Sequence, residues 1–341
     1  MSGRRRSLRF AHVLWLAIPL VAGLVAYRHR RPLLEGLALL PQARGGWLAL
    51  GAVMVGIVYL ARAHVYRVPL RVLDYTVRAR FLFAIAMVAT TVHQLIPTAG
   101  ASGYAFLTFA LHRQGVASGQ ASLVALIDTV SYAVAMATLV GGSLLYLLAW
   151  AHVPTPVLRA GILPALGIVA LAVFVYVAQR RRDRLERLVI GGKHRLERLL
   201  GRHWADAPVR TFLGEYDRGK AVIAHRPGRF FQMLVFQYVA VGADAAALYL
   251  AFLALGTAPK PGTVFLGLVV AMTGGAVLGA PAGGGGFELI MTGFFAHQGV
   301  GESRAFAATL LYRVLAFWLP VAGSLIVLLW VRRRHRDVRK A

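Results

Sequence analysis

The chain has 341 residues, of which 58% are hydrophobic, and its mean hydropathy is +0.64. Such a composition is typical of a polytopic integral membrane protein. Its formal charge of +25 would suggest nucleic acid in a soluble protein, but the basic residues cluster between apolar runs. They therefore indicate cytoplasmic loops beside anionic lipid head groups, and the lack of cysteine excludes disulfides and thiol chemistry.

Six apolar runs predict full transmembrane helices. They lie at about 10–27, 47–62, 119–150, 158–178, 230–255 and 304–331. No clear small-residue cleavage site follows the first run, so we expect a retained helix and not a removed signal peptide. The arginine-rich segment 62–80 is expected to lie on the cytoplasmic side.

Two further apolar stretches are interrupted and predict broken helices. The run 81–96 meets Pro97 and Gly100, and the run from 264 meets Pro281 and four consecutive glycines. Because glycine frees the backbone and proline removes a hydrogen-bond donor, a helix should break at both places. Broken helices at membrane depth survive where protein or water satisfies the freed backbone groups, as in many transporters. We therefore predict two re-entrant hairpins.

The two breaks resemble each other when the chain is shifted by 184 residues. Pro97 then falls on Pro281 and Gly100 on Gly284, and the tripeptide 114–116 falls on an identical tripeptide at 298–300. No gap is needed. The match predicts an internal repeat, with copies at about 81–150 and 264–331.

The basic segment 179–229 has a different character. Its leucines recur at helical spacing among Arg and Glu, which is typical of an amphipathic helix or pair on the cytoplasmic membrane surface. A docking surface for a partner is the alternative interpretation.

The distribution of basic residues predicts the topology. If each interrupted stretch returns to the side that it entered from, both termini and the segments 62–80 and 179–229 all lie in the cytoplasm. Two short crossings per hairpin would satisfy the same parity, and the first outer loop (28–44) carries four arginines against the rule. The hairpins then enter from opposite sides, so the repeats are inverted, as in several alternating-access carriers.

Few ionisable residues lie within the predicted helices. They are His93, Asp128, Asp244, Glu288 and Arg313. Each is costly in hydrocarbon unless it is paired or hydrated. The repeat places Asp128 and Arg313 at nearly the same depth, so we predict that they approach each other or a shared ligand; an ion pair that only fixes helix packing is the alternative.

The second break also predicts a phosphate site. Free backbone amides at a helix start can hold a phosphate, and Arg313 would add a planar, permanently charged partner. Alternatively, the glycines only permit close packing and Glu288 only caps the helix. The predicted substrate-binding residues are Pro97, Gly100, Asp128, Pro281, Gly283, Gly284, Gly285, Gly286, Glu288 and Arg313.

Patterns of other chemistry are absent from the sequence. The chain has no HExxH, no GxxxxGK[ST] and no GxSxG motif. We therefore expect no enzyme activity, no cofactor and no nucleotide-driven pump.

The second break and the chain after it contain, in order, Pro281, Gly283, Gly284, Gly286, Glu288, Gly299 and Arg313. This order resembles a motif of the flippase-like, lysylphosphatidylglycerol synthase transmembrane-region family. The segment that starts at Pro97 resembles that family's earlier motif, although Ala101, Ser102 and Gly103 stand where many members have a Gly-Glu pair and an arginine. In members fused to a synthase, a soluble domain makes aminoacylated lipid and the membrane half moves it between leaflets. Since Ala341 directly follows the last predicted helix, we expect no such domain here.

The resemblance implies lipid translocation or binding without synthesis. The expected fold is an all-α inner-membrane protein of about six transmembrane helices plus two re-entrant hairpins in inverted repeats. The expected function is a flippase-like transporter of a phospholipid or glycolipid. The alternatives are a lipid-binding partner of a separately encoded lipid-modifying enzyme, and a membrane enzyme acting on head groups, which the missing motifs disfavour.

Overall fold

The computed structural model describes residues 30–96, 101–150, 207–278 and 285–327, and these ranges are helical without any strand. The helices are α1 Arg30–Leu39, α2 Gly45–Val72, α3 Ala79–Leu95, α4 Ala101–His112, α5 Ser118–Trp150, α6 Ala207–Ala224, α7 Pro227–Ala254, α8 Pro261–Leu278, α9 Gly286–His297 and α10 Glu302–Val327. A 3₁₀ turn, Leu40–Gln42, follows α1, and α10 contains a π-helical segment, Val314–Trp318. The all-α prediction is confirmed.

Four helices, α2, α5, α7 and α10, are long and apolar enough to cross a membrane. They correspond to four of the six predicted transmembrane helices. The other two, at 10–27 and 158–178, lie outside the described residues. The same is true of the hairpin turns at 97–100 and 279–284, so the re-entrant hairpins stay a prediction. Their arms are the shorter helices α3 with α4 and α8 with α9.

The second predicted helix was wrong at its C-terminal end. It was expected to stop at residue 62, but α2 continues to Val72 and includes Pro69 in its last turn. A buried face with helical spacing continues past residue 62, which explains the extension. Its members include Val65, Tyr66, Leu70 and Val72. Arg62 therefore belongs to the helix and not to a cytoplasmic loop.

The same local geometry recurs at positions 184 residues apart. α4 and α9 each have 12 residues and are followed by a turn that contains a glycine of positive φ, Gly115 at 86° and Gly299 at 84°. The next residue closes each turn, with hydrogen bonds from Val116 N to Leu111 O (3.3 Å) and from Val300 N to Phe295 O (3.0 Å). This is the hydrogen bond of a Schellman motif. The corresponding helices α2 and α7, each of 28 residues, extend the correspondence beyond the predicted copies.

The core is built around α2 and α7, which pack along each other. Phe252 of α7 and Phe295 of α9 are fully buried, with ring centroids 4.5 Å apart. Gly267 of α8 makes room for this pair, since a Cβ there would lie 2.7 Å from the Phe295 ring. The return arm α9 is thereby fixed against the central helices.

The short amphipathic helices connect the two halves of the chain. α1 packs on α10, and α6 packs on α5. Each provides a carboxylate to the first turn of its neighbour: Glu35 accepts from Ser303 Oγ (2.8 Å), and Glu215 accepts from Gly119 N (2.8 Å) and Ser118 Oγ (3.2 Å). A negative charge is favourable at a helix N-terminus. Within the described part of the chain, α1 therefore stabilises the start of α10, and α6 stabilises the start of α5.

We expect Glu215→Ala to lower the free energy of unfolding by about 1 kcal/mol, because the first turn of α5 loses its carboxylate acceptor. Thermal unfolding of the purified protein in a neutral detergent measures the effect. Glu215→Gln, which keeps an acceptor oxygen and loses the charge, should fall between the wild type and Glu215→Ala. Equal stability of all three proteins would contradict the capping role.

Candidate functional site

Polar side chains form two clusters within the helical bundle. The Arg313 cluster consists of Tyr59, Asp244, Glu288, Tyr312 and Arg313, and the Arg62 cluster consists of Arg62, Tyr66, Asp128, Ser131, Tyr132 and Gln237. At roughly 1.5 Å per residue, Arg62 and Arg313 each lie about 15 Å from one end of a membrane-crossing helix. Both arginines thus lie well inside helices that are long and apolar enough to cross a membrane.

The centre of the first cluster is an ion pair between two helices. Arg313 Nε of α10 lies 2.7 Å from Glu288 Oε1 of α9, and the two side chains are 13% and 19% exposed. The Arg313 guanidinium also lies over two aromatic rings, 5.2 Å from the Phe287 centroid and 4.4 Å from that of Phe317. Cation–π contacts and the carboxylate together hold this charge in place.

The local backbone explains how these two side chains meet. α9 starts directly after Gly285, whose φ of 81° favours glycine, and Glu288 lies in the first turn of the helix. The π-helical segment of α10 follows Arg313. Such segments often occur at functional sites because they change the direction of the neighbouring side chains.

Glu288 has capacity for a further partner. Its Oε2 atom is buried and has no hydrogen-bond partner among the described residues, and the same holds for Thr292 Oγ1 one turn later. Buried polar atoms of this kind are uncommon and call for an explanation such as an ion or ligand. Glu288 lies in the first turn of α9, as the alternative of an N-terminal role expects, and within the described residues its carboxylate makes no cap hydrogen bond but contacts Arg313.

Asp244 of α7 contacts Tyr312, the residue of α10 that precedes Arg313. The Tyr312 hydroxyl donates to Asp244 Oδ1 at 2.8 Å. The Tyr312 ring stacks on that of Phe287, with centroids 6.1 Å apart. Successive residues of α10 thus contact acids from two different helices, α7 and α9.

The second cluster joins α2, α5 and α7. Gln237 Nε2 donates to Asp128 Oδ1 at 3.0 Å and to Ser131 Oγ at 3.1 Å. The Tyr66 side chain lies near both Asp128 and Arg62. The Arg62 guanidinium carbon lies 5.7 Å from the centroid of the Tyr132 ring. The hydrogen-bond donor to the Asp128 carboxylate is therefore a neutral side chain, that of Gln237.

The structure does not show the predicted direct approach of Asp128 to Arg313. In the described part of the chain Asp128 forms no ion pair with Arg313, and the ion pair that is seen joins Arg313 to Glu288. The repeat equates the depth of these two residues along α5 and α10 but not their positions around the bundle. Each of the two helices packs on α2 and α7, which supply other polar partners.

The remaining predicted residues are only partly within the described ranges. Pro97, Gly100, Pro281, Gly283 and Gly284 lie outside them. Gly285 and Gly286 form the start of α9, two to three residues before Glu288. The amide cradle predicted for 283–286 therefore stays a prediction.

Arg62 and Gln237 were missed by the sequence analysis. Arg62 was interpreted as the start of a basic loop because Arg67 and Arg71 follow it. The available signal was the spacing of Tyr59, Arg62 and Tyr66, which places all three on one face of a helix. Gln237 and Asp244, seven residues apart, likewise share one face of α7.

We expect Tyr312→Phe to destabilise the fold by about 1–2 kcal/mol, because it removes the neutral donor of a membrane-buried carboxylate. Thermal unfolding in detergent measures the change. Tyr238→Phe is the matched control, since it removes a hydroxyl that bonds to Thr138 at 2.6 Å in an exposed position. Equal losses in both variants would show that Asp244 does not depend on Tyr312.

Comparison with known proteins agrees with this picture of a lipid-embedded helical bundle. The model of the family described as "Lysylphosphatidylglycerol synthase TM region" matches residues 8–324. A search of curated proteins gives no match. Of the residues that carry the resemblance, Glu288 and Arg313 form the ion pair, and Gly286 lies two residues before Glu288 at the start of α9. The chain is a multi-pass membrane protein with four membrane-crossing helices in its described part, and it belongs to the lysylphosphatidylglycerol synthase transmembrane-region family.

Proposed function

We propose that the protein is a flippase-like transporter that moves a phospholipid or a lipid-linked head group between the leaflets of the inner (plasma) membrane. The observation that carries this proposal is the Arg313–Glu288 pair, a contact of 2.7 Å that the predicted topology places within the membrane. Charged residues at this depth are costly and usually mark a substrate path. Membership of a family with a membrane-lipid-related role supports a lipid as the substrate.

In the proposed cycle the head-group phosphate replaces Glu288 as the partner of Arg313. A guanidinium offers planar, bidentate hydrogen bonds to phosphate oxygens, and backbone amides of the glycine-rich turn before α9 would add further donors. Glu288 returns to Arg313 when the lipid leaves, so the charge does not stay unpaired. The protein performs no covalent step and uses no cofactor in this proposal.

A second candidate function is that of a lipid-binding partner of a separately encoded lipid-modifying enzyme. The exposed basic residues of α6, of the turn after it and of the first turn of α7 favour it, because they would form a docking surface on the cytoplasmic side. Among them are Arg218, Arg226 and Arg229. Anionic lipid head groups would attract the same residues, so this surface fits both functions.

Liposomes that contain the purified protein and fluorescent phospholipids test the proposal. Dithionite bleaches only the outer leaflet of empty liposomes, so a transporter should expose the label of both leaflets to the reagent. Rapid loss of the protected fraction supports transport. No exchange above empty liposomes with anionic, zwitterionic and aminoacylated lipids would favour the lipid-binding partner.

A further inference from the structure

Arg62 lies inside α2, a helix long and apolar enough to cross a membrane, and it has few partners. Among the described residues it makes one long hydrogen bond, from Nη1 to Thr90 Oγ1 at 3.4 Å, and lies near the Tyr66 side chain. Its Nε atom is buried without a hydrogen-bond partner in the described part of the chain. A guanidinium has five donors in a planar arrangement. Most of its capacity is therefore available for a ligand.

The nearby acids do not use this capacity. Asp128 and Asp244 lie within electrostatic range of Arg62, yet in the described ranges neither forms an ion pair with it. Their carboxylates accept instead from the neutral donors Gln237 and Tyr312. Hence the local charge is partly balanced, while Arg62 Nε has no hydrogen-bond partner in the described part of the chain.

Arg62 lies beside the first predicted hairpin, as Arg313 lies beside the second. Thr90 belongs to the last two turns of α3, and His93, also within electrostatic range of Arg62, is exposed at the end of that helix. The two arginines come from helices that the repeat does not equate, α2 and α10, so the 184-residue shift could not pair them.

The two arginines also differ in depth. Arg62 is about 15 Å along α2 from its C-terminal end, which the predicted topology places in the cytoplasm. Arg313 is about 16 Å along α10 from its N-terminal end, which the same topology places outside. Each arginine is thus nearer to a different leaflet.

We propose that Arg62 is a second phosphate-binding station, which takes the phosphodiester of a lipid head group on the cytoplasmic side of Arg313. Guanidinium donors match phosphate oxygens, and a buried arginine with unused donors gains most from such a ligand. This inference rests on the proposed function and deepens it. A lipid that crosses the protein would exchange its phosphate between Arg62 and Arg313.

Native mass spectrometry in a neutral detergent tests the number of stations, with short-chain phosphatidylglycerol as the probe. We expect two bound lipids in the wild type, one in Arg62→Gln, one in Arg313→Gln and none in the double variant. Arg67→Gln, on the same helix as Arg62, is the matched control and should bind two. Binding of two lipids by Arg62→Gln would overturn the proposal.

Arg62→Lys tests the proposed station even if the Arg62→Gln variant does not fold. It retains the charge and loses the bidentate geometry, so we expect binding at this station to weaken by about tenfold. Unchanged affinity in this variant would overturn the proposal even if Arg62→Gln failed to fold. The unfolding temperature of each variant is measured in the same detergent.

Two further probes identify the ligand group. Diacylglycerol with the same chains lacks phosphate and should not bind, whereas inorganic phosphate should compete with phosphatidylglycerol. Equal binding of diacylglycerol, or binding of inorganic phosphate without binding of phosphatidylglycerol, would overturn a lipid-phosphate station.

Lipid exchange measured in parallel separates this inference from the proposed function. If the wild type binds two lipids, Arg62→Gln binds one and neither protein exchanges lipid in liposomes, the second phosphate-binding station is supported and the transporter is refuted. If the wild type exchanges lipid and the Arg62→Gln variant binds as many lipids as the wild type, the transporter is supported and the second phosphate-binding station is refuted.

Discussion

Arg313→Ala and Glu288→Ala are each expected to abolish protein-dependent lipid exchange, reducing it to the rate of empty liposomes. The two side chains form the ion pair at 2.7 Å between α9 and α10, and each variant removes one member of it. Without Arg313 the phosphate loses its charged partner. Without Glu288 the arginine has no carboxylate to return to, so the lipid would remain bound or fail to enter.

Stability has to be separated from transport in these variants. Removal of one partner leaves a poorly hydrated charge, and since both side chains are partly exposed we expect a loss of about 2 kcal/mol. The double variant Glu288→Gln/Arg313→Gln removes both charges and should recover most of this loss. It should nevertheless show no exchange, because the phosphate partner is absent.

Arg304→Ala provides the matched control. Arg304 lies on the same helix as Arg313 but is exposed near its N-terminal end. We expect its removal to leave both exchange and unfolding temperature unchanged. Exchange that persists in a folded Arg313→Ala protein would refute the role of the pair.

The sequence predicted the membrane helices well because their signal is local. Long apolar runs identified α2, α5, α7 and α10, and the shift of 184 residues identified positions that adopt the same glycine turn at Gly115 and Gly299. Left-handed backbone at these positions depends on the residue itself, since only glycine adopts it at little cost. Features of this kind can be predicted without knowledge of the packing.

The polar contacts were harder to predict because they depend on the order of helices around the bundle. Asp128 was expected near Arg313 or a ligand shared with it, but its carboxylate contacts Gln237, a neutral residue of α7 that the sequence analysis did not identify. Arg62 was assigned to a loop because basic residues usually end a membrane helix. In the structure its helix continues for almost three further turns to Val72.

The packing of α1 on α10 and of α6 on α5 also could not be predicted without the structure. No periodicity within α1 or α6 indicates that Glu35 contacts α10 or that Glu215 contacts α5. The contacts agree with the predicted topology, however, because they place α1 beside the N-terminal end of α10 and α6 beside that of α5. If the halves are inverted, these two ends face opposite sides of the membrane.

Cysteine labelling is therefore expected to give opposite results at two positions 184 residues apart. The protein has no cysteine, so single substitutions can be labelled without background. Gln42→Cys, in the turn between α1 and α2, should react with a membrane-impermeant maleimide only from outside. Arg226→Cys, in the turn between α6 and α7, should react only from the cytoplasmic side. Both residues are exposed in the structure.

Right-side-out and inside-out vesicles from the same cells distinguish the two sides, and labelling after detergent solubilisation confirms that each cysteine is reactive. The expected difference is close to all-or-none, because a lipid bilayer excludes the charged reagent. Labelling of both positions from one side would mean that the halves are parallel. Arg62 and Arg313 would then lie nearer to the same leaflet, and a head group passing between them would not cross the membrane.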